Sequence, residues 1–171
     1  MALNVVLYEP EIPPNTGNII RTCVATNTKL HLIEPLGFDL YKNDVKRSTA
    51  NHLEGLNYSL YANFADFKTK NEGVYYYITR YGKKTPKDFT FPKKNENVFL
   101  IFGKESKGLP YDLLHDNLEY CIRIPMVASA RSLNLSNCVA LMVYDILKQW
   151  DYPDLSCYEV QKGKDFLDKI K

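Results

Sequence analysis

Few features of this sequence point to an exported, membrane or metal-bound setting. Its four cysteines, Cys23, Cys121, Cys138 and Cys157, lie far apart and form no CxxC pair, so neither a disulfide framework nor a structural zinc site is expected. The opening MALNVVLYEP lacks the charged-then-apolar pattern of a signal peptide, and a reduced, cytoplasmic location is the expectation. No apolar run approaches the roughly 20 residues needed to cross a bilayer. The longest, such as Val98 to Phe102, have strand length, and no membrane partner is expected.

Several enzyme signatures are missing as well. Neither GxGxxG nor GxSxG occurs, and the loop GKESKG lacks the Gly-Lys-Ser/Thr ending through which a P-loop opens its helix. The histidines stand at 31, 52 and 115, each without a partner in sequence, and read as structural or solvated groups; a triad hydrolase has little support. Charge imbalance is small, at +2 with a pI near 8.2, which neither demands nor excludes a polyanionic partner.

The 171 residues are 45% hydrophobic and 25% charged, which suits one globular domain over 1–171. Leu3 to Tyr8 reads as a strand, Pro10 to Gly17 as a loop, and helical spacing begins at Ile19 and Ile20, with Asn15 or Thr16 as cap. Leu30 to Ile33 is a second strand. A short exposed helix is expected around KNDVKRSTANH within Gly37 to Asn57, and a weak one at Phe64 to Lys70. Strands follow at Val74 to Thr79, Asn97 to Phe102 and Tyr120 to Ile124, with a turn-rich linker from Gly82 to Glu96. Pro110 fits the first turn of a further helix.

The last clear element, Leu135 to Trp150, is apolar around much of its girth, which predicts burial against the sheet and against a partner chain, with Val143 and Leu147 on the side left for that partner. Residues 152–171 form either a small docking helix or a frayed tail. Strands alternating with helices predict an α/β fold with a mainly parallel sheet flanked by helices, whose ligand loops sit at the carboxyl ends of the strands. Three such loops stand out: Asn15 to Arg21, Gly103 to Gly108 and Ile124 to Asn137. They gather Arg21, Glu105, Ser132 and Asn134.

The stretches NTGNIIRTC, LIFGKESKGLP and RIPMVASARSLNLSNCVAL resemble, in order and spacing, the three motifs of the SPOUT superfamily of RNA methyltransferases, in particular its 2'-O-ribose branch. With LNVVLYEPEIPPNTGNIIRTCVAT, the likeness extends to the small tRNA (cytidine/uridine-34-2'-O)-methyltransferases. It implies a sheet with a C-terminal trefoil knot, a homodimer paired through the last helix, and transfer of a methyl group from S-adenosyl-L-methionine to the ribose 2'-hydroxyl of the tRNA wobble nucleotide. S-adenosyl-L-homocysteine is the product, and no metal is involved. A related position of tRNA or rRNA, or a noncatalytic RNA-binding module, are the alternatives.

The resemblance assigns the cofactor to Ile78, Thr79, Gly103, Ile124, Ser132 and Leu133, although Ile78 and Ile124 equally suit core packing. Gly103→Val is expected to block the cofactor in a chain that still folds. Arg21 is the residue the resemblance marks for activating the hydroxyl. A guanidinium with a pKa above about 12 is better suited to orienting ribose or phosphate and stabilising an alkoxide than to taking a proton. Asn15 fixes its loop or Arg21, or simply caps a helix; Glu105 pairs with Arg21; Ser132 and Asn134 orient cofactor and backbone. For RNA the candidates are Lys42, Lys46, Arg47, Lys104 and Lys107. Tyr81 and Tyr111 could stack a splayed anticodon base.

Overall fold

The computed structural model describes residues 2–40, 58–93 and 96–170. Along the chain run β1 (Leu3–Tyr8), α1 (Pro13–Ala25), β2 (Lys29–Ile33), β3 (Tyr58–Tyr61), α2 (Phe64–Lys70), β4 (Val74–Ile78), β5 (Val98–Phe102), α3 (Tyr111–His115), β6 (Cys121–Ile122) and α4 (Leu135–Gln149). The strands pair in parallel in the order β3-β2-β1-β5-β4-β6. Parallel pairing sets every strand's carboxyl end on one edge, where the loops that follow converge. The exposed helix expected around residues 42–52, with Lys42, Lys46 and Arg47, lies outside the described residues.

Alternation along the central strands separates two cores. Val5, Leu7, Leu30, Leu32, Leu100 and Phe102 meet α1 and α4 on one face. Val6, Ile33, Phe99 and Ile101 meet Tyr61, Phe67 and Tyr77 on the other, as the two-residue period of a strand requires. β5 is buried throughout, which is why its apolar run is continuous rather than alternating.

His31 stands in the second core. Its Nδ1 lies 2.9 Å from the Tyr61 hydroxyl and its Nε2 3.1 Å from Asn4 Oδ1. The Asn4 amide nitrogen donates to the carbonyls of Ala2 and Val98, so Oδ1 is the acceptor and the ring proton sits on Nε2. Burial, with Lys29 nearby, pushes the imidazole pKa down to about 4. A neutral, hydrogen-bonded ring stacked on Tyr61 at 5.6 Å is a structural histidine.

The structure corrects four expectations. α1 begins at Pro13, with Ile12 as a cap that offers no side-chain bond. A proline in the first turn gives up only an N–H that would be unpaired anyway, so the Pro/Asn/Gly stretch is helix rather than loop from Pro13 on. Asn15 and Thr16 are therefore inside the helix, not at its cap. The strand expected at Tyr120 to Ile124 shrinks to Cys121–Ile122 behind a 3-10 turn at Leu118–Tyr120, and β3 is a strand the sequence pattern did not mark. On α4, Val143 and Leu147 are buried within the chain. The girth that suggested a partner is taken up by the sheet and α1, and of the large hydrophobic side chains on α4 only Leu141 and Tyr144 stay exposed, at 53% and 46%.

After α4 the chain forms turns and one 3-10 turn at Leu167–Lys169. Tyr152 and Leu155 lean on the core, while Tyr158, Val160, Leu167 and Ile170 are exposed. Among the described residues no helix is long and apolar enough to cross a membrane.

Candidate active site

The loops after β1, β4 and β5 and the segment after β6 enclose a cleft of about 1000 Å³. Ile78, Thr79, Gly103, Ile124, Ser132 and Leu133, the expected cofactor contacts, all line it, as do Asn15, Glu105, Asn134, Lys104 and Lys107. Ile78 and Ile124 also pack against the core, so the two readings of these residues coexist. Arg21 is exposed on α1 and is not among the lining residues.

A chain of hydrogen bonds ties the three motifs together. Asn134 caps α4, its Oδ1 accepting from the Ser136 amide at 2.8 Å and the Ser136 hydroxyl at 2.7 Å. That fixes its nitrogen as the free end, which donates to Asn15 Oδ1 at 2.9 Å. Asn15 in turn donates to Glu105 Oε1 at 3.0 Å. The backbone donor at Ser136 thus orients both amides without ambiguity. The Glu105 carboxylate also accepts the amides of Glu11 and Ile12, at 2.9 and 3.3 Å, where the start of α1 leaves donors unpaired. Glu105 is therefore occupied by the head of α1 and not by Arg21.

The two flanking loops grip each other in the opposite sense. Lys104 forms an ion pair with Glu9, and Glu11 accepts from the Ser106 amide and hydroxyl at 2.9 and 2.8 Å, bonds that hold the Glu11 carboxyl below its usual pKa. Lys104 is thus engaged by a carboxylate rather than left for phosphate, whereas Lys107 is exposed at the cleft. Gly103 is required by the loop itself, since a Cβ there would lie 2.3 Å from the Gly108 carbonyl carbon and 2.4 Å from the Leu109 nitrogen.

Sequence reasoning missed Arg80, Met126 and Arg131 in the lining. Arg80 stands two residues beyond the end of β4, and that position was its only signal. Its guanidinium lies 4.8 Å from the Tyr81 ring centre and donates to the Tyr81 hydroxyl at 2.7 Å. Tyr81 and Tyr111 meet edge to face at 5.5 Å, their hydroxyls 3.1 Å apart. The bond to Tyr111, then that to Arg80, lowers the Tyr81 pKa.

An apolar floor of Ile78, Ile124 and Leu133 beside Thr79, Ser132 and open backbone fits a ligand with a flat heterocycle and a polar tail. Among the described residues no three His, Cys, Asp or Glu side chains come together as a metal site. Cys23 is buried, its thiol pushed up to about 12, and is inert.

Residues 2–144 match the family described as the SpoU rRNA Methylase family. A Bacillus subtilis (strain 168) protein provisionally named tRNA (cytidine(34)-2'-O)-methyltransferase is 45% identical over 156 residues, covering 91% of this chain and 98% of that protein. A structure described as giving insights into the 2-OH methylation of C/U34 on tRNA superposes with a TM-score of 0.80 at 33% identity, over 88% of this chain and 97% of its own. The SpoU methyltransferase AviRb from Streptomyces viridochromogenes, in complex with the cofactor AdoMet, superposes at 0.72 with 25% identity, over 86% of this chain and 57% of AviRb.

Proposed function

This chain belongs to the SpoU rRNA methylase family, and from that premise we infer that it transfers a methyl group from S-adenosylmethionine to the ribose 2'-hydroxyl of the tRNA wobble nucleotide, cytidine or modified uridine at position 34. The observation that carries this reading is the joining of all three motifs around one cleft by the Asn134, Asn15 and Glu105 bonds, in a chain that relatives named for that activity match over 91% and 88% of its length.

When bound, the cofactor supplies a methyl group on a sulfonium sulfur, an electrophile that needs no metal. Ile78, Ile124 and Leu133 would hold its adenine, with Thr79 and Ser132 as polar partners. A ribose hydroxyl attacks only as its proton leaves, so the chain must orient the sugar and stabilise the developing oxyanion. We assign that task to Arg21, whose exposed guanidinium can address ribose and phosphate together. Asn15, Glu105 and Asn134 are positioning residues, because their hydrogen-bonding capacity is taken up by one another and by the head of α1. Lys107 and Arg131 at the cleft, with Lys42, Lys46 and Arg47 of the undescribed segment, are our candidates for phosphate contacts.

The reaction is tested by incubating the protein with labelled S-adenosylmethionine and tRNA lacking the modification, then mapping the product nucleoside by mass spectrometry. A 2'-O-methylated nucleotide 34 is expected; label found at a base or at another position would overturn the assignment.

We further propose that the chain works in the cytoplasm as a homodimer. The support is the exposed Leu141 and Tyr144 on α4, and the need of a chain with net charge +2 for more positive surface than one copy offers. Leu141→Asp is expected to give monomers by light scattering with an unchanged circular dichroism spectrum. A wild-type protein that is monomeric and fully active at micromolar concentration would refute the dimer.

A further inference from the structure

Three side chains at the rim of the cleft have no task in the scheme above. Tyr111 opens α3 directly after Pro110, and 68% of its surface is exposed. An exposed tyrosine with nothing to hold it samples several rotamers. This one is held: its hydroxyl lies 3.1 Å from that of Tyr81, whose ring meets it at 77°. Tyr81 is itself clamped, since the Arg80 guanidinium covers its ring at 4.8 Å and bonds its hydroxyl. The Arg80 carbonyl in turn accepts from the Arg123 guanidinium. The result is an aromatic face presented to solvent at a set angle, beside cationic groups, in the wall of the cleft.

Packing does not account for this arrangement, because neither ring belongs to either core. Aromatic faces bordered by arginines suit bases joined by phosphates, since each base offers a π-face to stack and each phosphate a charge to neutralise. A purely apolar partner would cover the Arg80 charge without offering a counter-charge, and a simple anion would have no use for the rings. The base attached to the reacting ribose lies one glycosidic bond from the sugar, so a ribose inserted into the cleft leaves its base at the rim.

Resting on the activity inferred above, we propose that Tyr111 is the stacking platform for the base of the nucleotide being methylated, and that Tyr81 and Arg80 are positioning residues that set its angle. The chemistry is selective for an unstacked base and undemanding about its hydrogen-bonding edge, which agrees with acceptance of both cytidine and uridine.

The experiment is a cycle between protein and RNA. Wild type and Tyr111→Ala are titrated with a fluorescein-labelled anticodon stem-loop, intact or abasic at nucleotide 34, and read by anisotropy. With the intact loop, Tyr111→Ala is expected to weaken binding by about 5- to 150-fold, whereas with the abasic loop the two proteins bind alike within about twofold. Tyr111→Trp keeps a face to stack and retains most of the affinity, and S-adenosylmethionine affinity by calorimetry is unchanged. Equal loss on both loops, no loss on either, or a matching loss of cofactor affinity would each overturn the proposal. Should mapping place the methyl group on another nucleotide, the position-34 assignment fails, and the cycle is run with the abasic site moved there, so that the platform is still decided by the same comparison.

Discussion

Arg21→Ala is expected to lower methyl transfer to tRNA by about 100-fold or more, the usual cost of removing one transition-state charge partner, while leaving S-adenosylmethionine affinity within about twofold. The two halves of this expectation have different grounds. The loss follows from the chemistry: a ribose oxygen becoming an alkoxide needs a nearby cation, and Arg21 lies in the first of the three joined motifs. The sparing of cofactor affinity follows from its place, because Arg21 is exposed on α1 and outside the cleft lining. Arg21→Lys is expected to be poor too, since an ammonium keeps the charge but loses the planar fork that can address ribose and phosphate at once. Single-turnover kinetics with saturating cofactor, beside calorimetry, separates the two effects. Wild-type turnover in Arg21→Ala would sink the role.

Gly103→Val is expected to remove detectable cofactor binding by a route that differs from the one its sequence context suggests. The added side chain would strike the backbone of its own loop, at Gly108 and Leu109, before it met any ligand. Relief requires opening the turn closed by the Gly108 amide on the Lys104 carbonyl at 2.9 Å, and that turn carries Glu105. Both the apolar floor and the bonds to the head of α1 would shift together. Overpacking of this kind costs about 1 to 3 kcal/mol, so the variant should still fold, as expected from sequence, but melt several degrees lower. Gly108→Ala is the control: its Cβ meets nothing within 4 Å, and only the positive φ of 71° is strained. It should keep most binding. A Gly103→Val protein with wild-type affinity would show that the loop tolerates what its geometry forbids.

The head of α1 illustrates how much of the site was legible. Its residues were marked as a motif, yet Pro13, Pro14 and Gly17 disguised a helix as a loop, because propensity counts prolines against a helix and does not register that the first turn tolerates them. Glu105 is legible as polar and loop-borne, but the partner expected for it, Arg21, is not the one it has. The actual partners are backbone amides, which carry no letter in a sequence. On α4 the apolar pattern gives the burial but not the side chains left for a partner, since Val143 and Leu147 are covered by the same chain: periodicity reports how much of a helix is buried, not whether the covering surface is the same chain or another.

What the amino-acid sequence determined by itself is therefore local and repetitive. β1, β2, β4 and β5 follow from β-branched and apolar runs, the two cores from alternation along those strands, and the placing of polar loops at strand ends from their Gly, Asn and Ser content. What only the tertiary structure decided is which distant groups meet. Asn134 reaches Asn15 across 119 positions, and Asn15 reaches Glu105 across 90; Tyr81 and Tyr111 form one surface from a loop and the start of a helix. The physical reason is that burial is a property of a residue's own pattern, whereas a hydrogen bond is a property of two positions, and parallel strand order and register alone bring those positions within reach.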